Sequence, residues 1–171
     1  MLDLELQPYQ EWEPVGVADP RAATPAQFID GFKKICAAEA PIIEDRLYAL
    51  YARAADLGRV YGPVHARFER ALDEARRSKE LTISIDEFGA HVENVVALPG
   101  EPPIVVRTRG SRSLHEIPGP EIAEVMLAIR IEHDLISKEE LFHMVLGAYG
   151  LKRLTKASND RLTDVLSTWI A

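Results

Sequence analysis

The segment PIIEDRLYALYARAADLGRVYGPVHARFERAL, beginning at Pro41, lines up without a gap on LISKEELFHMVLGAYGLKRLTKASNDRLTDVL, beginning at Leu135. Leu47 falls on Leu141, an offset of 94 residues, and the same offset pairs Ile35 with Ile129, Ile42 with Ile136, Ala54 with Ala148, Leu57 with Leu151, Arg59 with Arg153, Arg67 with Arg161 and Leu72 with Leu166. Self-similarity at one fixed offset constrains the fold more than any composition does, because it demands the same supersecondary unit twice.

Each copy reads as helix, short apolar link, helix, tight turn, helix. The first helix of copy one is expected from Thr24, whose hydroxyl can cap free N–H groups, with Pro25 at the first helical position and Gln27 completing a capping box. Its counterpart is expected from Pro120. Phe28, Phe32, Ile35 and Cys36 form one apolar stripe, and Ile122, Met126 and Ile129 the other. The second helices carry Leu47, Leu50, Tyr51 and Ala54 against Leu141, Met144, Val145 and Ala148, with Ser137 and Glu140 as a capping box. The third run from about Pro63 to Lys79, burying Phe68, Ala71, Leu72 and Ala75, and from about Ala157, burying Leu162, Val165, Leu166 and Trp169. Gly58 and Gly150 are expected to mark the turns before them.

After the first third helix, Leu81, Ile83 and Ile85 alternate with polar residues as a half-buried strand does, and HVENVVAL beyond a turn at DEFGA supplies a hairpin partner. Three helices followed by a β-hairpin is the winged form of the helix-turn-helix. The fold expected is therefore mainly α with a small β wing, two repeated helix-turn-helix or winged-helix-like units in tandem. Residues 1–23 form an acidic, proline-containing leader and 24–98 the first winged unit. Residues 99–118 hold a connecting strand (Ile104 to Val106) and a basic loop, and 119–171 form a second unit without a wing. The sequence stops straight after the last apolar stripe, at Trp169, Ile170 and Ala171, so either the second unit is wingless or the chain is part of a longer protein.

Much chemistry is excluded. No GxxxxGK[ST] or GxGxxG run is present to cradle a phosphate, and no GxSxG elbow to raise a nucleophile. Cys36 is the one cysteine and the five histidines are scattered singly, so no zinc spacing exists. Asp86 and Glu87 are adjacent on a strand or turn and cannot face one substrate; solvated turn residues is the reading. No catalytic residue, metal, cofactor or small-molecule substrate is expected. Without a long apolar run, a secretion signal or a cysteine pair, a cytoplasmic chain with no membrane partner is expected.

The net charge of −7 argues against coating nucleic acid by charge alone, yet five acids and one base crowd into residues 1–25. The bases cluster elsewhere. In a helix-turn-helix the third helix enters the major groove while turns and wing touch phosphate. Arg59, Arg67 and Arg70 occupy those places in copy one, and Lys152, Arg153, Lys156 and Arg161 in copy two. Arg107, Arg109 and Arg112 form a loop cluster with fewer acids near it, the cleanest anion-contact candidate. Acids beside Arg67 and Arg161 equally suit solvated helix faces or internal bridges.

Tyr9, Glu39–Ile42 (EAPI), Leu57–Arg59 (LGR), Val106–Arg109 (VRTR), Ile117–Ile122 (IPGPEI) and Gly150–Arg153 (GLKR), in this order and spacing, resemble a bacterial domain of unknown function at the C-terminus of large superfamily 1 helicase-like proteins, often beside a restriction-endonuclease-like domain. The resemblance implies a setting of DNA processing or genome defence, with the motor and nuclease elsewhere in the polypeptide. Two functions are expected from it and from the charges together: a non-catalytic DNA-binding accessory module contacting backbone phosphates, or a protein-docking module that serves helicase or nuclease domains without touching nucleic acid.

Overall fold

The computed structural model describes residues 4–88 and 91–170. Among them are six α-helices: α1 (Pro25–Glu39), α2 (Glu44–Ala54), α3 (Gly62–Arg77), α4 (Gly119–Glu132), α5 (Lys138–Ala148) and α6 (Lys156–Trp169). Three strands, β1 (Ile42–Ile43), β2 (Thr82–Phe88) and β3 (His91–Ala97), form one antiparallel sheet in the order β1-β3-β2. The molecule is mainly helical with a small sheet. The DEFGA turn falls partly outside the described residues, since only its first three positions, on β2, are described.

The chain divides into two compact units. One comprises Gln10–Ile85 and Asn94–Pro103, the other Met1–Tyr9, Asp86–Glu93 and Ile104–Ala171. Leader, hairpin and connecting loop are each divided between the two units. No strand forms over 104–106; Gln7 instead bridges Arg107, donating its N–H to the Val106 carbonyl (3.0 Å) and accepting from the Thr108 N–H (2.8 Å). Leu4 and Leu6 pack on the core of that unit. The leader is thus a built part of the fold, and Trp12, 8% exposed with its N–H on Glu39 (3.0 Å), anchors the rest of it in the other unit.

In the unit that holds α1–α3, Thr24 and Gln27 form the expected capping box before Pro25. β1, an apolar link in the sequence, pairs with β3 through Ile42 with Val96 and Ile43 with Val95. It runs directly into α2, whose uncapped N-terminus has Glu44 and Asp45 in its first turn to oppose the helix dipole. Phe28, Phe32, Tyr48, Tyr51 and Phe68 meet at the centre with ring centroids 5.0 Å (Tyr48–Phe68) to 6.4 Å (Phe28–Phe32) apart. Each such pair adds about 0.5–1.5 kcal/mol beyond its area. A Cβ on Gly31 would lie 2.4 Å from the Tyr51 ring, so that position admits only glycine without repacking. The strand alternation fails at Ile85, which is 66% exposed.

The unit that holds α4–α6 has a more aliphatic core, with Ile122, Met126, Ile129, Leu141, Val145 and Leu162 all within 2% of full burial. Ser137 with Glu140 caps α5 as expected, and Thr155 with Ser158 caps α6. Leu166 is only partly buried, and Trp169, expected in the core, is 36% exposed because α6 ends there.

Pro25, Glu44 and Gly62 open α1–α3, and Gly119, Lys138 and Lys156 open α4–α6, so all three pairs stand at the offset of Leu47 from Leu141. The turn after α2 passes through a left-handed residue, Asp56 (φ 58°), and the turn after α5 through Gly150 (φ 70°), again at that offset. Leu57 donates its N–H to Ala52 (2.9 Å) and Leu151 to Leu146 (2.8 Å), the six-to-one closure of a helix end. Gly58 does not mark the first turn; Asp56 does, a residue type that tolerates the left-handed region.

Candidate functional site

The cations expected to meet phosphate fall into two groups. Arg107 and Arg112 are 5% and 1% exposed and converge on Glu121 of α4, itself 2% exposed. Arg112 donates Nη1 to Glu121 Oε2 (3.0 Å) and Nη2 to Oε1 (2.9 Å), while Arg107 donates Nη2 to Oε2 (3.1 Å) and its backbone N–H to Oε1 (3.0 Å). The Tyr9 ring lies 5.0 Å from the Arg107 guanidinium and 4.1 Å from that of Arg112. Gly110 (φ +59°) makes room for that ring, since a Cβ there would stand 2.5 Å from it. Half-buried Arg109 donates Nε to the Tyr149 carbonyl (3.1 Å) and Nη1 to that of Arg112 (3.0 Å). The loop expected to contact anions is therefore folded around an internal carboxylate, Glu121. The burial of Tyr149 here raises its hydroxyl far above the usual phenol range.

Arg161, 9% exposed, donates Nη2 to Glu93 Oε1 (2.7 Å) and to the Ile117 carbonyl (2.7 Å), and burial holds the Glu93 carboxyl above its ordinary range against that pairing. Arg67 donates Nη2 to the Ala23 carbonyl (2.7 Å), Nη1 to that of Arg21, and lies 5.7 Å from the Phe28 ring. Both arginines hold the segment ahead of their unit's first helix. With Arg107, Arg109 and Arg112 they spend hydrogen-bond donors on partners inside the protein.

Arg59, Arg70, Lys152, Arg153 and Lys156 are exposed. Lys156 pairs with Asp160 (2.9 Å), and the outer side of α3 holds Arg76 and Arg77 on Asp73 (2.7 and 2.9 Å) and His65 near Glu69 (3.4 Å). The third helices thus present mixed charge, not a cationic surface. Asp86 and Glu87 stand on β2 and not in a turn, and partial burial raises the Asp86 carboxyl above its ordinary value. Burial pushes the Cys36 thiol up to about 12, far from reactive. Among the described residues no group of three or more His, Cys, Asp and Glu could hold a metal ion, and no helix is long and apolar enough to cross a membrane.

The least expected surface lies at the end of α4. Leu127, Ile131 and Leu135 are 45%, 76% and 96% exposed, three large apolar side chains at a spacing of four. Leu135 also lines a groove formed by the 133–137 loop and the start of α5, together with His133, Asp134, Ile136, Glu139, His143 and Met144 among others. Sequence reasoning passed over them, although the signal was present. Ile131 lies ~200° around the helix from Ile129 and so off the buried stripe, where a helix facing water normally carries polar residues.

No protein-family model, no curated protein and no solved structure matches this chain.

Proposed function

We propose that this chain is a non-catalytic docking module of a DNA-processing assembly, the setting that its resemblance to helicase-associated domains implies. It consists of two copies of one helix-turn-helix unit, the first with a wing. The common offset of all six helix starts supports the duplication, as do the paired left-handed residues Asp56 and Gly150. So does a repeated hydrogen bond: Arg67 to Ala23 and Arg161 to Ile117 stand at the same offset, both at 2.7 Å.

The single observation that carries the function is the uncovered apolar face of Leu127, Ile131 and Leu135. Exposed apolar residues scattered singly need no explanation, whereas a contiguous set marks a surface that something covers. A photo-cross-linking residue at position 131, placed in the chain within its native cell, is expected to capture a discrete polypeptide that the same residue at exposed Tyr61 does not. Equal cross-linking at both positions would refute the docking reading.

DNA contact is the second reading, favoured by Arg59 and Arg153, exposed at equivalent places with Arg70 and Lys152 near them in sequence. Fluorescence anisotropy with short single- and double-stranded DNA at about 50 mM salt tests it, since phosphate contacts are least screened there. No binding at tens of micromolar protein is the expected result; tight binding with a steep salt slope would reverse the order of the two readings.

A further inference from the structure

We propose that the face of Leu127, Ile131 and Leu135 receives an amphipathic helix of a partner protein whose apolar stripe is flanked by lysines or arginines. This rests on the docking reading and adds the partner's chemistry. The three side chains recur every four residues along the last turns of α4 and into the loop that follows. Leu127 and Ile131 stand one helical turn apart on α4, ~6 Å at helical rise, and Leu135 follows beyond the end of the helix, so a second helix laid along α4 meets the first two with anchors at i and i+3 or i+4. Met144 at the groove wall supplies an adaptable apolar contact.

Charge selects the occupant. Between Glu124 and Glu140 the chain carries five carboxylates (Glu124, Glu132, Asp134, Glu139, Glu140) and two bases. Arg130 Nη1 donates to the Ile170 carbonyl (3.2 Å), the Lys138 ammonium sits 5.3 Å from the Phe142 ring centre and Glu140 accepts from Ser137 Oγ (2.6 Å), and with five acids against two bases the stretch keeps a net charge of −3. An apolar strip with an acidic rim complements an apolar stripe with a basic rim, and repels partners of its own sign. A second copy of this chain would bring the same carboxylates against these, and nucleic acid would bring phosphates. A basic amphipathic helix satisfies both the strip and its rim.

Three fluorescent peptides of about 20 residues, long enough to hold a helix, test this with the whole chain. One carries a leucine stripe flanked by Lys and Arg, one the same stripe flanked by Glu, and one the basic composition with the stripe scrambled. The basic amphipathic peptide is expected to bind at least about tenfold tighter than either other, and to weaken as salt rises. Ile131→Asp and Leu135→Asp should each abolish that binding without moving the thermal melt, since both positions are exposed. Asp134→Lys with Glu139→Lys should turn the preference towards the acidic peptide. Equal binding of the acidic peptide, or no peptide binding, overturns the inference. So does a concentration-dependent dimer in sedimentation that Ile131→Asp dissolves, which would make a second copy the occupant. In each of these cases a discrete cross-link to another protein at position 131 would leave the docking reading standing, so the two fail separately.

Discussion

Replacing Glu121 by Gln keeps the volume and one acceptor at the centre of the Arg107–Arg112 loop but removes the carboxylate on which both guanidiniums converge. Two guanidinium groups, 5% and 1% exposed, then lie in the interior without the charge of Glu121. Removing one partner of a buried ion pair costs about 3–5 kcal/mol, because the other charge is left desolvated. Here one carboxylate serves two arginines, which points to the upper part of that range. The Tyr9 ring against both guanidiniums returns some of it, about 0.5–2 kcal/mol for contacts of this kind. We therefore expect Glu121→Gln to destabilise the unit by about 3–4 kcal/mol. Urea unfolding followed by circular dichroism would register this as a midpoint shift of roughly 1–4 M for typical slopes. Arg112→Ala should also destabilise strongly and change DNA binding only through unfolding. A loss under about 1 kcal/mol for Glu121→Gln, or an Arg112→Ala variant of unchanged stability with weakened DNA binding, would refute the reasoning that this loop is internal scaffolding.

Other outcomes follow from single positions. Gly147 lies on α5 with nothing within 4 Å of where a Cβ would stand, so Gly147→Ala should stabilise by about 0.5–1 kcal/mol, whereas Gly110→Ala, at positive φ and against Tyr9, should destabilise by at least about 1 kcal/mol in the same melt. Deleting residues 1–9 should lower the melting temperature instead of merely removing acid charge, because Leu4 and Leu6 pack on the core and Gln7 bonds the 106–108 backbone; an unchanged melt would show the leader to be dispensable. Burial first, then Arg161 and His91, depress the His115 imidazole below its ordinary 6.5, so its folded form binds protons less readily than the unfolded chain. Stability from this group is present above 6.5 and is lost as pH falls through the depressed value; His115→Gln should flatten that part of a stability–pH profile, and an NMR titration at or above 6.5 would contradict the sign.

The sequence by itself determined the helices, because their signals are local. Thr24 with Gln27 and Ser137 with Glu140 cap where hydroxyl and amide or carboxylate sit three residues apart, and the stripes of α1, α2 and α3 need only helical spacing to line up. The offset of 94 residues, read from Leu47 and Leu141, likewise reappears in the helix starts, because those starts answer to local signals. What only the tertiary structure decided is where long side chains spend their charge. Arg107 and Arg112 look like an exposed basic loop in one dimension, but Glu121 stands 14 and 9 residues downstream, and only the folded path of that loop brings it within 3.1 Å. Glu93 meets Arg161 across 68 residues for the same reason. Docking of the leader's first residues was equally invisible, since Gln7 and Tyr9 bond residues about a hundred positions away and leave no periodicity behind. The face at Leu127, Ile131 and Leu135 belongs to both accounts: its spacing is written in the sequence, but which side of α4 stays uncovered depends on how α5 and α6 pack against it.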